Sequence, residues 1–351
     1  MNAAEIHAPG DIRVTDIPYP KLGAVEVIVK IHTCGICGSD LPRALGDGAH
    51  FYPVVVGHEA AGEIVEVGSE VSGFRVGDRV AIAPLVPCMN CEACQQSQYS
   101  LCKQYSFIGS RRQGCMAEYV AVPGKCLLPL PKSLSYEKAA MVEPATVSLH
   151  GLLKCGTFGG LRVGVLGTGT IGLFAVQWAK FLGAVEVIAI DINDRKLEKA
   201  LELGADTAIN SADLGRYQKE SLETVIDSVT EGDGIDLVVE TAGVPLTQVQ
   251  SVELAVNGGK VLYVGTAHRD VHFPARSFEA IVRKELSLFG SWMSYSAPFP
   301  GREWKLAVKA LSDGRIRAVE MITHQFELAQ VKEAFETLYS CKDAVKVMLV
   351  G

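Results

Sequence analysis

"LRVGVLGTGTIGLFAVQWAKFLG", residues 161–183, is the stretch on which the fold turns. Its first seven residues, apolar but for Arg162, form a run of the kind that makes a strand buried on both faces. The remainder reads as a helix closed by Gly183. At the junction, Gly167, Gly169 and Gly172 stand in the pattern G-x-G-x-x-G. The first glycine permits a tight turn, the second lets a pyrophosphate approach the backbone, and the third lets helix and strand pack closely. The helix start, at Thr170 and Ile171, offers free N–H groups and the positive end of the helix dipole to phosphate. The pattern by itself also occurs in other glycine-rich turns. A strand before it and a helix after it make it a dinucleotide site. A second apolar run, "VEVIAID", ends at Asp191, where a carboxylate can accept from both ribose hydroxyls and repel a 2′-phosphate. NAD is therefore expected over NADP. Arg195 reads two ways, toward a 2′-phosphate or stacked on adenine.

Working outward, "TAIN" (207–210), "DLVVET" (236–241), "KVLYVG" (260–265) and "ELSLFGS" (285–291) are further strand candidates separated by helical patterns. Six strands alternating with helices predict an α/β fold with a doubly wound parallel sheet. Ligands of such sheets bind beyond the strand ends. That places Thr241 and Ala242, Val264, Gly265 and Thr266, and Ser291 and Trp292 along the ribose and nicotinamide. The N-terminal part reads differently, as short strands joined by Gly, Pro and Asp turns: "EVIVKI" (26–31), "AGEIVEVG" (61–68) and "GDRVAIAP" (77–84). The last sixty or so residues hold a helix pair and a closing strand, "KVMLV". They are too few for a core of their own and must join one of the two domains.

The net charge of −7 gives no basic surface for nucleic acid. No basic n-region opens the chain and no apolar run is long enough to span a bilayer, so a cytoplasmic location without membrane contact is expected. Ten cysteines in such a chain point to thiolates and metal ligands rather than disulfides. Cys88, Cys91, Cys94 and Cys102 form a C-x2-C-x2-C-x7-C array suited to tetrahedral structural zinc, with an iron–sulfur cluster as the rival. A more dispersed set, Cys37, His58, Glu59 and Glu143, fits a catalytic zinc that keeps an open position. Spacing alone does not connect these four.

The motifs "CGICGSD", "GHEAAGEIVEVG", the four-cysteine array, "AEYVAVP" and "GTGTIG" resemble, in this order, the zinc-dependent medium-chain dehydrogenases. The resemblance spans nearly the whole chain. It implies a GroES-like, mainly-β catalytic domain from residues 1–146 and 288–351, a Rossmann NAD-binding domain from 147–287, and an active site in the cleft. It also implies one catalytic zinc held by Cys37, His58, Glu143 and Glu59, one structural zinc, and a homodimer or homotetramer. Glu143 matches the polyol dehydrogenase branch. "CGSDLPR", "GAHFYP", "YSFIGSRRQG" and "GSWMSYSAPFPG" are similar to the galactitol-1-phosphate 5-dehydrogenases within it. Cys115 departs from the glycine usual there.

The implied activity is oxidation of a secondary alcohol on a phosphorylated sugar alcohol. Dehydrogenases of free polyols, pentitol phosphates or threonine share much of the pattern, and a zinc-ribbon binding protein is the rival of another class. Ser39, two residues after Cys37, is placed to pass a proton outward, or only to hold its turn. Glu59 has a role in the metal shell or in water exchange. In "FIGSRRQG", Arg111 and Arg112 are either a solvated pair or a grip on the substrate phosphate, which a guanidinium binds with two parallel hydrogen bonds. Arg43 is a second phosphate candidate. His50 and Tyr295 are candidate polyol contacts.

Overall fold

The structure, a computed structural model, describes residues 1–212, 214 and 221–351. The chain divides into two compact units, Met1–Thr146 with Tyr295–Gly351, and Val147–Ser294. Among the described residues no helix is long and apolar enough to cross a membrane.

The unit Val147–Ser294 is a six-stranded parallel sheet. Its strands lie in the order Thr207–Asn210, Glu186–Asp191, Arg162–Leu166, Ile235–Glu240, Ala255–Tyr263, Ser287–Gly290. Numbered along the chain this is 3-2-1-4-5-6, the doubly wound arrangement expected, with its reversal between the strands ending at Leu166 and Glu240. The helix Thr170–Phe181 is buried from Gly172 to Ala179, Phe174 and Trp178 completely. The charged helix Asp194–Glu202 buries only Leu197 and Ala200. The break expected before residue 288 falls inside the strand Ser287–Gly290, which pairs with Lys260–Tyr263, so the unit runs on to Ser294. The run "ELSLFGS" is itself a strand and cannot be divided without breaking that ladder.

The other unit is mainly β. A seven-stranded sheet runs in the order Leu127–Pro129, Arg79–Ile82, Glu59–Val67, Glu26–Ile36, Lys346–Val350, Ile322–Glu327, and Tyr119–Pro123 pairs with the first half of Glu26–Ile36. The closing strand thus lies antiparallel to Glu26–Ile36, with Val347 opposite Ile36. The tail helix Val331–Ser340 buries Val331 and Phe335 in the same core as Ile6, Val29, Ile64 and Ile82. Apolar burial of this kind, worth about 2–3 kcal/mol per large side chain, explains why the tail joins the N-terminal strands. Several strands were not foreseen. The antiparallel pair Asn2–Ala8 and Asp11–Asp16 lies outside the large sheet, and Ile322–Glu327 alternates half-buried and exposed residues at the sheet edge.

Candidate metal centre and dinucleotide site

Cys37 follows the strand Glu26–Ile36, and His58 precedes the strand that Glu59 opens. These strands pair antiparallel with Gly35 opposite Glu59, so register alone brings the residues together. One ligand atom each from Cys37, His58 and Glu59 lies within 4.8 Å of the others. A Cβ at Gly35 would collide with the Glu59 carboxylate, and glycine leaves room for it. A thiol, an imidazole and a carboxylate converging at this range suit a divalent ion of zinc's type.

Two partners of this group were missed from sequence. Asp40, wholly buried, places Oδ1 3.4 Å from His58 Nδ1, longer than a good hydrogen bond but within ion-pair range. Its Oδ2 accepts from the Cys37 N–H at 3.1 Å. Burial alone would lower the His58 pKa; the Asp40 carboxylate and Cys37 outweigh it and raise the pKa well above the usual value. The second partner is Lys346. Its Nζ donates to both Glu59 oxygens, at 2.9 and 2.6 Å, inside the protein. A carboxylate has lone pairs beyond these two, but Glu59 is not the free ligand expected, because a buried ammonium already holds it. Asp three residues after Cys37, and a lysine in the otherwise apolar "KVMLV", were the available signals.

Glu143, near the start of the helix Val142–Lys154, stands outside the 4.8 Å group of three. It remains within their electrostatic reach. Burial pushes its pKa up to about 7, and His58, Glu59, Lys346 and Asp40 all act on it. Ser39 is exposed. Arg43 donates through Nη1 to Ser39 O at 2.7 Å, Ser39 Oγ at 3.2 Å and Asp40 Oδ1 at 3.3 Å. Arg43 therefore braces the turn between Cys37 and Asp40, which corrects its expected role as a phosphate grip.

The segment Phe107–Gly114 is stitched to the backbone that leads into His58. Gly114 N–H donates to Val55 O, Met116 N–H to Val56 O and Cys115 N–H to Gly57 O, at 2.7–3.0 Å. The Phe107 ring sits edge-on to His58, with centroids 5.5 Å apart. Of the two arginines, Arg112 turns inward, donating to Glu26 Oε1 at 2.8 Å and Ala121 O at 3.2 Å. It leaves the role expected of it because its charge is met by Glu26. Arg111 is exposed, its guanidinium 4.3 Å above the Tyr105 ring. His50 is exposed as well. Tyr295 is not: it is buried, stacked on Phe299 and Trp304, and its hydroxyl accepts from the Leu85 N–H at 3.0 Å. Its place in the core corrects the expected polyol contact.

The sulfurs of Cys88, Cys91, Cys94 and Cys102 all lie within 4.8 Å of one another, with close pairs at 3.5, 3.8 and 3.9 Å. Four thiolates about 2.3 Å from one tetrahedral ion stand about 3.8 Å apart, so the spacing fits a single zinc. A multi-iron cluster needs a wider cage. Backbone N–H groups, Asn90 first, lower the Cys88 thiol to about 6, whereas burial raises Cys94 to about 12.

In the other unit the parallel strands carry Gly167, Asp191, Thr241, Val264 and Ser291 to one edge of the sheet. Gly167 takes φ +89° in the turn, and a Cβ at Gly172 would strike Gly167 O. A Cβ at Gly169 would meet nothing within 4 Å, the open approach that a pyrophosphate requires. Asp191 Oδ2 accepts from Thr168 N–H at 2.6 Å and Thr168 Oγ1 at 2.9 Å; Oδ1 accepts from the N–H groups of Ile192 and Asn193 at 2.7 and 3.0 Å. Thr170 and Ile171 start the helix, Thr241 Oγ1 donates to Gly167 O at 2.7 Å, and Arg195, Ala242, Thr266 and Trp292 are exposed. Gly265 lies beside Gly243. The residues fit a dinucleotide.

Comparison with known proteins gives the same architecture. Residues 23–132 match the alcohol dehydrogenase GroES-like domain, and residues 170–313 match the zinc-binding dehydrogenase domain. Galactitol 1-phosphate 5-dehydrogenase of Escherichia coli K12 is 40% identical over 342 residues, 97% of each chain. Sorbitol dehydrogenase of Bacillus subtilis 168 is 33% identical, over 99% of this chain and 97% of the relative. The crystal structure of galactitol-1-phosphate dehydrogenase from Escherichia coli superposes with a TM-score of 0.94 at 39% identity, covering both chains completely.

Proposed function

The chain belongs to the zinc-dependent medium-chain alcohol dehydrogenase family, and from that premise we propose that it is an NAD-dependent polyol-phosphate dehydrogenase. Its best substrate is galactitol 1-phosphate, oxidised to tagatose 6-phosphate. The observation that carries the phosphate reading is the Phe107–Gly114 segment, held against His58 with the Arg111 guanidinium exposed.

When bound, zinc supplies a Lewis acid for the substrate hydroxyl and NAD supplies the hydride acceptor. Cys37, His58 and Glu59 hold the metal, with Glu143 as the further carboxylate beside them. Asp40 orients His58 in the manner of a carboxylate–histidine pair. Lys346 holds the Glu59 carboxylate in place. Ser39 Oγ, accepting from Arg43, would relay the hydroxyl proton, taking it as its own O–H proton passes to solvent. Arg111 binds the phosphate dianion, with Tyr105 as the platform that keeps the guanidinium outward. Gly167–Gly172 cradle the pyrophosphate, and Asp191 receives the adenosine ribose. Cys88, Cys91, Cys94 and Cys102 hold a second, structural zinc. The assembly is a homodimer or homotetramer in the cytoplasm, supported by the open edge of the strand Ser287–Gly290, where Leu288 is 43% exposed.

Arg111→Ala tests this reading. Loss of a charge-assisted bidentate contact should raise KM for galactitol 1-phosphate by about tenfold or more while leaving that for free galactitol nearly unchanged. Equal effects on both substrates would discard Arg111 as the phosphate group.

A further inference from the structure

Glu240 ends the strand Ile235–Glu240 with its carboxylate wholly buried, and among the described residues no cation pairs with it. Oε1 accepts from the Gly243 N–H at 2.9 Å and from Thr247 Oγ1 at 2.7 Å, whereas Oε2 has no partner. Its main-chain oxygen accepts from two further N–H groups, those of Val264 at 2.9 Å and Gly265 at 3.0 Å. One residue therefore ties together the turns at the ends of two neighbouring strands. The turns also touch directly. A Cβ at Gly243, where φ is +68°, would come within 2.6 Å of Thr266 O, and a Cβ at Gly265 within 2.6 Å of Glu240 Oε2.

Capping the helix Pro245–Leu254 does not by itself call for a charge here. Gly243 and Thr247 offer two neutral donors, which a glutamine or asparagine oxygen would satisfy without burying an acid. Burial in fact raises the carboxyl's pKa above its usual value, against the help of Thr247 and the Gly243 and Ala242 N–H groups. What distinguishes the position is its reach: the side chain fixes Thr241–Val244 from one side, and the backbone fixes Val264–Gly265 from the other.

We propose that Glu240 is a positioning residue for the nicotinamide half of the dinucleotide, setting the spacing between the turns Thr241–Val244 and Val264–Thr266. This rests on the dinucleotide reading of the sheet edge. ADP-ribose carries the adenosine and pyrophosphate but lacks the nicotinamide, so it separates the two ideas.

The test is equilibrium binding of NADH and of ADP-ribose to the full-length protein and its Glu240→Leu, Glu240→Gln and Thr247→Val variants. Glu240→Leu leaves the Gly243 N–H without its side-chain acceptor and the Thr247 hydroxyl with Val244 O alone, which should weaken NADH by about tenfold or more and ADP-ribose by less than about twofold. Glu240→Gln, which keeps one acceptor oxygen, should recover most of the NADH affinity. Thr247→Val should shift NADH in the same direction as Glu240→Leu, by less, and serves if the leucine variant does not fold. Equal weakening of both ligands, or of neither, would overturn the proposal. Failure of the unaltered protein to bind ADP-ribose would instead remove the dinucleotide site itself.

Discussion

Asp40 contributes no atom to the group formed by Cys37, His58 and Glu59, yet its carboxylate touches two of their residues, at His58 Nδ1 and at the Cys37 N–H. Removing it frees the imidazole to rotate and loosens the turn that carries the thiol. Asp40→Ala should therefore weaken zinc at this centre by about 10–100-fold, read by competition with a chelator, while the four-cysteine site keeps its metal. Unchanged affinity would mean that Asp40 only braces the fold. Residue types were legible at this scale and pairings were not. Cys37, His58 and Glu59 could be named because their chemistry is distinctive. Lys346 could not be paired with Glu59, which lies 287 residues away, because a buried ion pair leaves no local pattern. Arg112 and Arg43 were misread for the same reason: their partners, Glu26 and Asp40, are supplied by the fold.

Elements were legible where a short run lies between turn residues. The runs "TAIN" and "KVMLV" are strands over the residues expected, Thr207–Asn210 and Lys346–Val350, because an apolar run between turn residues has few other uses. The hairpin Asn2–Ala8 with Asp11–Asp16 escaped notice, since its second strand is mostly exposed or half-buried and carries little apolar signal. The strand Ser287–Gly290 was visible, but not its consequence. Among the described residues it is hydrogen-bonded on one side only, and Phe278 and Val282 of the preceding helix Ala275–Arg283 are exposed at 59% and 65%. An open apolar edge of this kind is a template for a second copy of the chain. Leu288→Lys should shift the protein toward monomer in light scattering. An unchanged assembly state would place the interface elsewhere.

At the scale of the whole molecule, the sequence order of motifs announced both units, and the family relationship confirms their architecture. That the tail joins another unit followed from its length, about sixty residues being too few for a separate core, and its place with the N-terminal strands followed from the family resemblance. Substrate identity is the least legible property, because it depends on a few exposed groups such as Arg111 that carry no distinctive sequence pattern. The most direct measurement is kcat/KM with NAD, on one zinc-replete preparation, for galactitol 1-phosphate beside free galactitol. A preference for the phosphorylated substrate of about a hundredfold, the scale of a charge-assisted contact worth some 2–3 kcal/mol, is the result predicted. Equal turnover of both, or activity on free galactitol alone, would contradict the polyol-phosphate account and return Arg111 to the solvated surface.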